Sequence, residues 1–154
     1  MRHLEIITAI AAPAELVFDT SLAVDVHTAS MAASGERAIG GVTTGQLKLG
    51  DEVTWQARHL GRSWRMTSRI TAYTRPRYFV DEQISGPFAV WWHAHYFEPQ
   101  ANDATLMRDV IDFAAPYGLL GRLTETLLLD RYMTKLITVR NQHLATICQA
   151  NRST

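Results

Sequence analysis

The stretch GPFAVWWHAHYFE, residues 86–98, sets His93 and His95 two positions apart among Trp91, Trp92, Tyr96 and Phe97. Imidazole is the side chain that changes charge nearest neutral pH, and it is a common metal ligand. Alternation along a strand turns Trp91, His93, His95 and Phe97 to one face. Asp81, Gln83 and Asp109 lie in neighbouring alternating segments, and strand pairing can bring them to that face. A histidine held by Asp109 is suited to act as acid or base on a carbonyl-containing ligand. Two histidines at i and i+2 with one carboxylate also form a minimal metal-ligand set. A third role needs no reaction: a few polar groups in an apolar pocket fix a ligand's polar end, or satisfy one another. This structural or orienting role ranks first and metal binding last, because few ligands are visible; no metal and no cofactor is expected.

These residues need a scaffold. Residues 3–10, HLEIITAI, read as a strand. Pro13 opens a helical segment, AELVFDTSLA, with Val17, Phe18 and Leu22 at helical spacing. VDVHTASM forms a second short helical piece, in which His27 reads as a surface or helix-packing residue. Glycine-punctuated alternation follows through residue 115. DEVTWQARHL places Val53, Trp55 and Ala57 together, and RSWRMTSRITAY does the same for Trp64, Met66, Ser68, Ile70 and Ala72. RYFVDEQIS, AVWWHAHYF and TLMRDVIDF complete the series, which Pro116, Tyr117 and Gly118 end. From about Leu119 to Asn151 one long helix is expected. Its stripe is Leu129, Met133, Leu136, Ile137, Leu144 and Ile147, and its first half is apolar over a wider arc through Leu119, Leu120, Leu123, Leu127 and Leu128. Those surplus leucines allow a homodimer contact.

Connections this short make the sheet antiparallel. A tight turn at His59–Arg62 pairs Ala57 with Trp64 and Trp55 with Met66. A turn at Arg75–Pro76 sets Ser68 and Ile70 on the face of Asp81 and Gln83. After Gly86, an even loop turns Trp92, Ala94 and Tyr96 inward, and an odd loop with a bulge turns Trp91, His93, His95 and Phe97 inward. A last hairpin centred near Asn102 sets His95 opposite Asp109, His93 opposite Ile111 and Trp91 opposite Phe113. The face Met107, Asp109, Ile111, Phe113 is the drier one, which favours inward histidines.

The 154 residues are 47% hydrophobic and 19% charged, enough for one domain with a sizeable core, over residues 1–154. Fifteen basic residues balance fifteen acidic ones, so nothing calls for nucleic acid. From Arg131 onward there are four Lys or Arg and no acid, read as a solvated helix face. Cys148 is the one cysteine, so no internal disulfide can form, and a buried inert thiol is expected. No run is apolar and long enough for a signal peptide or a membrane span, and a cytoplasmic protein is expected.

The stretches VDVH, LGDEVTW, VDEQISGPFAVWWHAHYFE and RDVIDFAAPYGLLG, in this order, resemble the START-like or SRPBCC superfamily. A small bacterial cyclase/dehydrase-like subgroup is the nearest likeness. The resemblance implies an α+β helix-grip fold: a curved antiparallel sheet wrapped around the long C-terminal helix, with two short helices after the first strand. It also implies a cavity that holds a lipid, sterol-like or polyketide molecule. Trp55, Trp64, Met66, Trp91 and Phe113 of the sheet, Leu129 and Met133 of the helix, and the polar set Asp81, Gln83, His93, His95 and Asp109 are the expected ligand contacts. The expected activity is carriage or sensing of a small hydrophobic ligand. The alternative is a polyketide cyclase/dehydrase-like enzyme using His93 or His95 with Asp109 as acid and base. Fold alone does not choose between them.

Overall fold

The structure, a computed structural model, describes residues 1–114 and 124–152. The chain runs β1 (Arg2–Ile10), α1 (Ala14–Ser21), α2 (Val24–Ser30), β2 (Arg37–Gly41), β3 (Glu52–His59), β4 (Arg62–Thr74), β5 (Tyr78–Ser85), β6 (Val90–Gln100), β7 (Ala104–Ala114) and α3 (Thr124–Asn151). The seven strands form one antiparallel sheet in the order β1-β7-β6-β5-β4-β3-β2. Helices α1 and α2 carry the chain from one sheet edge to the other, and α3 packs on β1, α1 and α2. This is the α+β helix-grip arrangement expected from the sequence.

Local chemistry explains the elements. Pro13 occupies the N-cap of α1 with φ −61°, and its carbonyl accepts the Val17 N–H at 3.1 Å. Proline's fixed φ and missing N–H cost nothing at a helix start. The β3–β4 hairpin closes through Leu60 (φ 52°) and Gly61 (φ 76°), so His59 pairs with Arg62. Two left-handed residues give a turn whose twist matches the strands, and this sets Ala57 opposite Trp64 and Trp55 opposite Met66. Gly41, at φ +70°, would place a Cβ 2.2 Å from the Glu52 carbonyl oxygen, so only glycine fits there.

The core has two parts. Under α1, Phe18 is fully buried and meets the rings of Tyr73, Phe79 and Phe97 edge-on at 5.2, 5.6 and 5.3 Å. Leu144 and Cys148 of α3 join that cluster. Trp91, Ile111, Phe113, Met133 and Ile137 form the second, between the middle of the sheet and the first half of α3.

Two readings of the sequence need correction. Strand β4 shifts register between Ile70 and Ala72, after which Tyr73 pairs with Phe79, so Ala72 leaves the face of Trp64, Met66, Ser68 and Ile70. Arg140 is 7% exposed and turned into the molecule, so the basic run of α3 is not wholly a solvated face. Leu128, in the wider apolar arc, is 65% exposed. Leu119, Leu120, Leu123, the side chain of Leu127 and the Pro116–Gly118 breaker lie outside the described residues. Among the described residues, no helix is long and apolar enough to cross a membrane.

Candidate functional site

Register puts the polar residues together. The β5–β6 pairing sets Asp81 opposite His93, and the β6–β7 pairing sets His95 opposite Asp109 and His93 opposite Ile111. His93 and His95 point inward, 4% and 1% exposed, their rings 3.8 Å apart. The odd-loop face, with Trp91 and Phe97, is therefore the buried one. The imidazole of His95 also stacks on Phe79 at 4.3 Å, which fixes its plane.

The hydrogen bonds cross over relative to the sequence expectation. His93 Nε2, not His95, makes the aligned bond to Asp109, at 2.8 Å from Oδ1. His95 Nε2 bonds Asp81 Oδ2 at 3.1 Å. His95 Nδ1 lies 2.7 Å from Asp109 Oδ1, yet off the line a hydrogen bond needs, so this nitrogen is buried without an aligned partner. Direct opposition of His95 and Asp109 across the ladder brings the groups into contact, but ring orientation decides the bond.

Asp109 is fully buried. Asn141 Nδ2 donates to its Oδ2 at 2.7 Å and also approaches Thr8 Oγ1 at 3.0 Å. Arg140 Nη1 stands 3.5 Å from Oδ1. Burial alone would raise the Asp109 pKa. The His93 bond, the 2.7 Å approach of His95 Nδ1 and the charges of both rings outweigh it and hold the carboxyl well below its usual range. Asp81 keeps 20% side-chain exposure, and Trp91 Nε1 donates to its Oδ1 at 3.3 Å. Burial pushes Asp81 up, but the His95 bond and the charges of His93, His95 and Arg140 bring it down to about 2. Burial, reinforced by the neighbouring His95, pushes His93 down to about 4 against the pull of Asp109 and Asp81. The cluster therefore presents two carboxylates, a guanidinium and a neutral His93 at neutral pH.

A cavity of about 320 Å³ opens beside this cluster. Trp55, Trp64, Met66, Trp91, Leu129 and Met133 line it as apolar wall, and Asp81, His93, His95 and Arg140 form its polar end. Three expected contacts lie elsewhere. Asp109 sits behind the histidines. The amide of Gln83 is spent on the β5–β6 turn, donating to the Phe88 carbonyl at 2.7 Å and accepting the Phe88 N–H at 3.2 Å. Phe113 is fully buried against Trp91 and Phe88.

At the other end of the cavity stands a second polar group. His27 is not a plain surface residue: its Nε2 meets Glu36 Oε1 at 2.5 Å, and its ring lies 4.3 Å from Trp55. His59 Nδ1 bonds the Tyr132 hydroxyl at 2.6 Å, tying β3 to α3. Glu36, His59, Tyr132, Arg140 and Asn141 escaped the sequence reading. For the last two a signal existed. The buried residues of α3 run Met133, Ile137, Arg140, Asn141, Leu144, Cys148, so one polar turn sits in phase with the apolar stripe.

No protein-family model and no curated protein sequence matches the chain. Solved structures do. A protein of Thermus thermophilus superposes with a TM-score of 0.80 at 13% identity, covering 97% of this chain and 99% of that one. The Zhui aromatase/cyclase of Streptomyces sp. R1128 gives 0.76 at 17% identity, over 96% and 93%. A START superfamily protein of Mycobacterium smegmatis gives 0.67 at 13% identity, over 99% and 98%. The chain shares the helix-grip fold of these structures. At these identities the likeness concerns backbone architecture, and the helix-grip cavity of this chain carries its own residues.

Proposed function

We propose that this helix-grip domain, residues 1–154, is a carrier or sensor for a small hydrophobic or amphipathic molecule, of lipid, sterol-like or polyketide type. The observation that carries the reading is the cavity of about 320 Å³, with largely apolar walls, the Asp81, His93, His95 and Arg140 cluster on one side and the smaller His27–Glu36 group on another. That size and that division of chemistry suit an amphipathic ligand of modest size. The apolar body lies along Trp55, Met66, Leu129 and Met133, and the polar end meets Asp81, His93, His95 and Arg140. Native mass spectrometry of the purified protein tests it. An added organic mass that is lost on denaturation supports the proposal. A clean apo mass, with no response to an environment-sensitive fluorescent amphiphile, overturns it.

One observation favours a second reading, a cyclase- or dehydrase-like enzyme. His93 is held neutral beside Asp109 and faces the cavity, as a general base must be and must do. In that mechanism His93 or His95 moves a proton at a ligand carbon or oxygen, and Asp109, which does not reach the cavity, orients the imidazole. The fold shared with the Zhui aromatase/cyclase is compatible with this and does not require it. The two readings separate by variant. A carrier loses affinity on Trp55→Ala or Met66→Ala and tolerates His95→Ala. An enzyme loses turnover on His95→Ala or Asp109→Ala and retains binding.

A further inference from the structure

The side chains of Asp81, His93 and His95 each offer one ligand atom, and these lie within 4.8 Å of one another. His93 Nδ1 stands 3.7 Å from Asp81 Oδ2, and His95 Nε2 stands 3.1 Å from the same oxygen. Two donors bound to one ion at about 2.1 Å, at angles from about 90° to about 120°, are roughly 3.0–3.6 Å apart. The two spacings on Asp81 Oδ2 are thus near those of a shared metal ion, and a side-chain rotation that draws the two nitrogens together within their 4.8 Å limit completes the set.

The second observation concerns protons. A carboxylate only accepts, and a neutral imidazole carries one N–H and one lone pair. Both histidines put one nitrogen on Asp109 and the other on Asp81. His93 donates from Nε2 to Asp109, which leaves the Nδ1 lone pair facing Asp81. A His95 ring that carries a single proton has no good choice of where to put it. With its proton on Nε2, the Nδ1 lone pair presses on Asp109 Oδ1 at 2.7 Å; with its proton on Nδ1, the Nε2 lone pair faces Asp81 Oδ2 at 3.1 Å. A cation among the Asp81-facing atoms removes the conflict. Nδ1–H of His95 then turns onto Asp109, and three lone pairs converge on the ion. Metal-ligating histidines characteristically give their other N–H to a carboxylate, and here one buried carboxylate serves both. Trp91 Nε1, on Asp81 Oδ1, orients the third ligand.

We propose that Asp81 Oδ2, His93 Nδ1 and His95 Nε2 bind a divalent first-row transition metal, zinc or iron(II) in class, at the polar end of the cavity. The remaining coordination position faces the cavity, where a carbonyl, hydroxyl or carboxylate oxygen of the bound molecule is the expected ligand. For that open position, and only for it, the inference rests on the cavity-binding reading.

The test begins with chelator-stripped protein titrated with Zn(II) by calorimetry, and with Co(II) followed by visible absorption and by paramagnetic broadening of the His93 and His95 ring protons in the NMR spectrum. The expected result is one ion per chain, low-micromolar or tighter, with both ring signals broadened. Asp81→Asn, checked for native fold by circular dichroism, weakens binding at least tenfold, while His3→Ala on the exposed face of β1 leaves it unchanged. The Co(II) measurement uses the unaltered chain, so a variant that fails to fold does not remove the test. Absence of stoichiometric binding overturns the proposal and leaves a shared proton as the cation. Binding that Asp81→Asn does not weaken, or that broadens other histidines instead, overturns it as well. A fluorescent amphiphile titrated into the stripped protein reports the cavity separately: amphiphile binding without metal sinks only the metal site, and metal without amphiphile sinks only the cavity reading.

Discussion

Replacing Asp109 by asparagine keeps the shape of the side chain and removes its charge. In the native protein Oδ1 takes the His93 N–H at 2.8 Å and faces Arg140 at 3.5 Å, and Oδ2 takes the Asn141 amide at 2.7 Å. The amide has one acceptor oxygen for these donors, and its own NH2 must then face a donor. Arg140, 7% exposed, loses its nearest counter-charge. Breaking one side of a buried, hydrogen-bonded charge pair costs about 3–5 kcal/mol. The longer Arg140 contact and the remaining Asp81 charge place this case near the lower end, about 3 kcal/mol. For a chain of this length that is a fall in Tm of about 6–12 °C. The assay is a calorimetric melt at neutral pH with a chelator present. Adding Arg140→Met removes the stranded cation, so Asp109→Asn/Arg140→Met recovers roughly 1–2 kcal/mol over Asp109→Asn alone. A fall below about 2 °C, or a double variant whose losses simply add, would refute the view that Arg140 is neutralised through Asp109.

Acid should weaken the chelated protein in a defined window. His93 titrates near 4 when folded and near 6.5 when unfolded, so between these values only the unfolded chain takes up the proton. Its contribution is complete above about pH 6.5 and is lost as pH falls toward 4, on the order of 3 kcal/mol. The depressed carboxyls of Asp81 and Asp109 extend the loss below their ordinary range. Denaturant melts across that window check this, and His93→Gln should flatten the slope between pH 6.5 and 4. Phe18→Ala removes three edge-on ring contacts under α1 and should cost about 3–5 kcal/mol in urea titrations. Tyr132→Phe deletes the bond to His59 and should cost about 1 kcal/mol by the same measurement, with the cavity wall otherwise intact. Cys148, fully buried and with its thiol pushed up by burial, should react with a disulfide reagent only as fast as the protein unfolds; a rapid burst in native buffer would count against its placement.

The architecture was legible because it depends on periodicity and turn chemistry, which are local. Alternation in AVWWHAHYF and TLMRDVIDF, with a hairpin centred near Asn102, suffices to set His95 across from Asp109, and the turn at His59–Arg62 sets Trp55 across from Met66. Parity then turned the histidines inward, because the drier face of β7 must be the buried one. What tertiary structure decided depends on side-chain direction and on elements far apart in the chain. An extra residue near Thr71 moved Ala72 off its face, a one-residue event no alternation pattern records. His93 rather than His95 bonds Asp109 because Phe79 sets the plane of the His95 ring. Gln83 left the cavity for the Phe88 backbone, since an amide satisfies two nearby main-chain groups at once. Arg140 and Asn141 reached Asp109 only because α3 lies across the sheet with its one polar turn over β7. Residue types and strand register thus fixed which groups share a wall. The packing of α3 and the orientation of each ring fixed which of them touch.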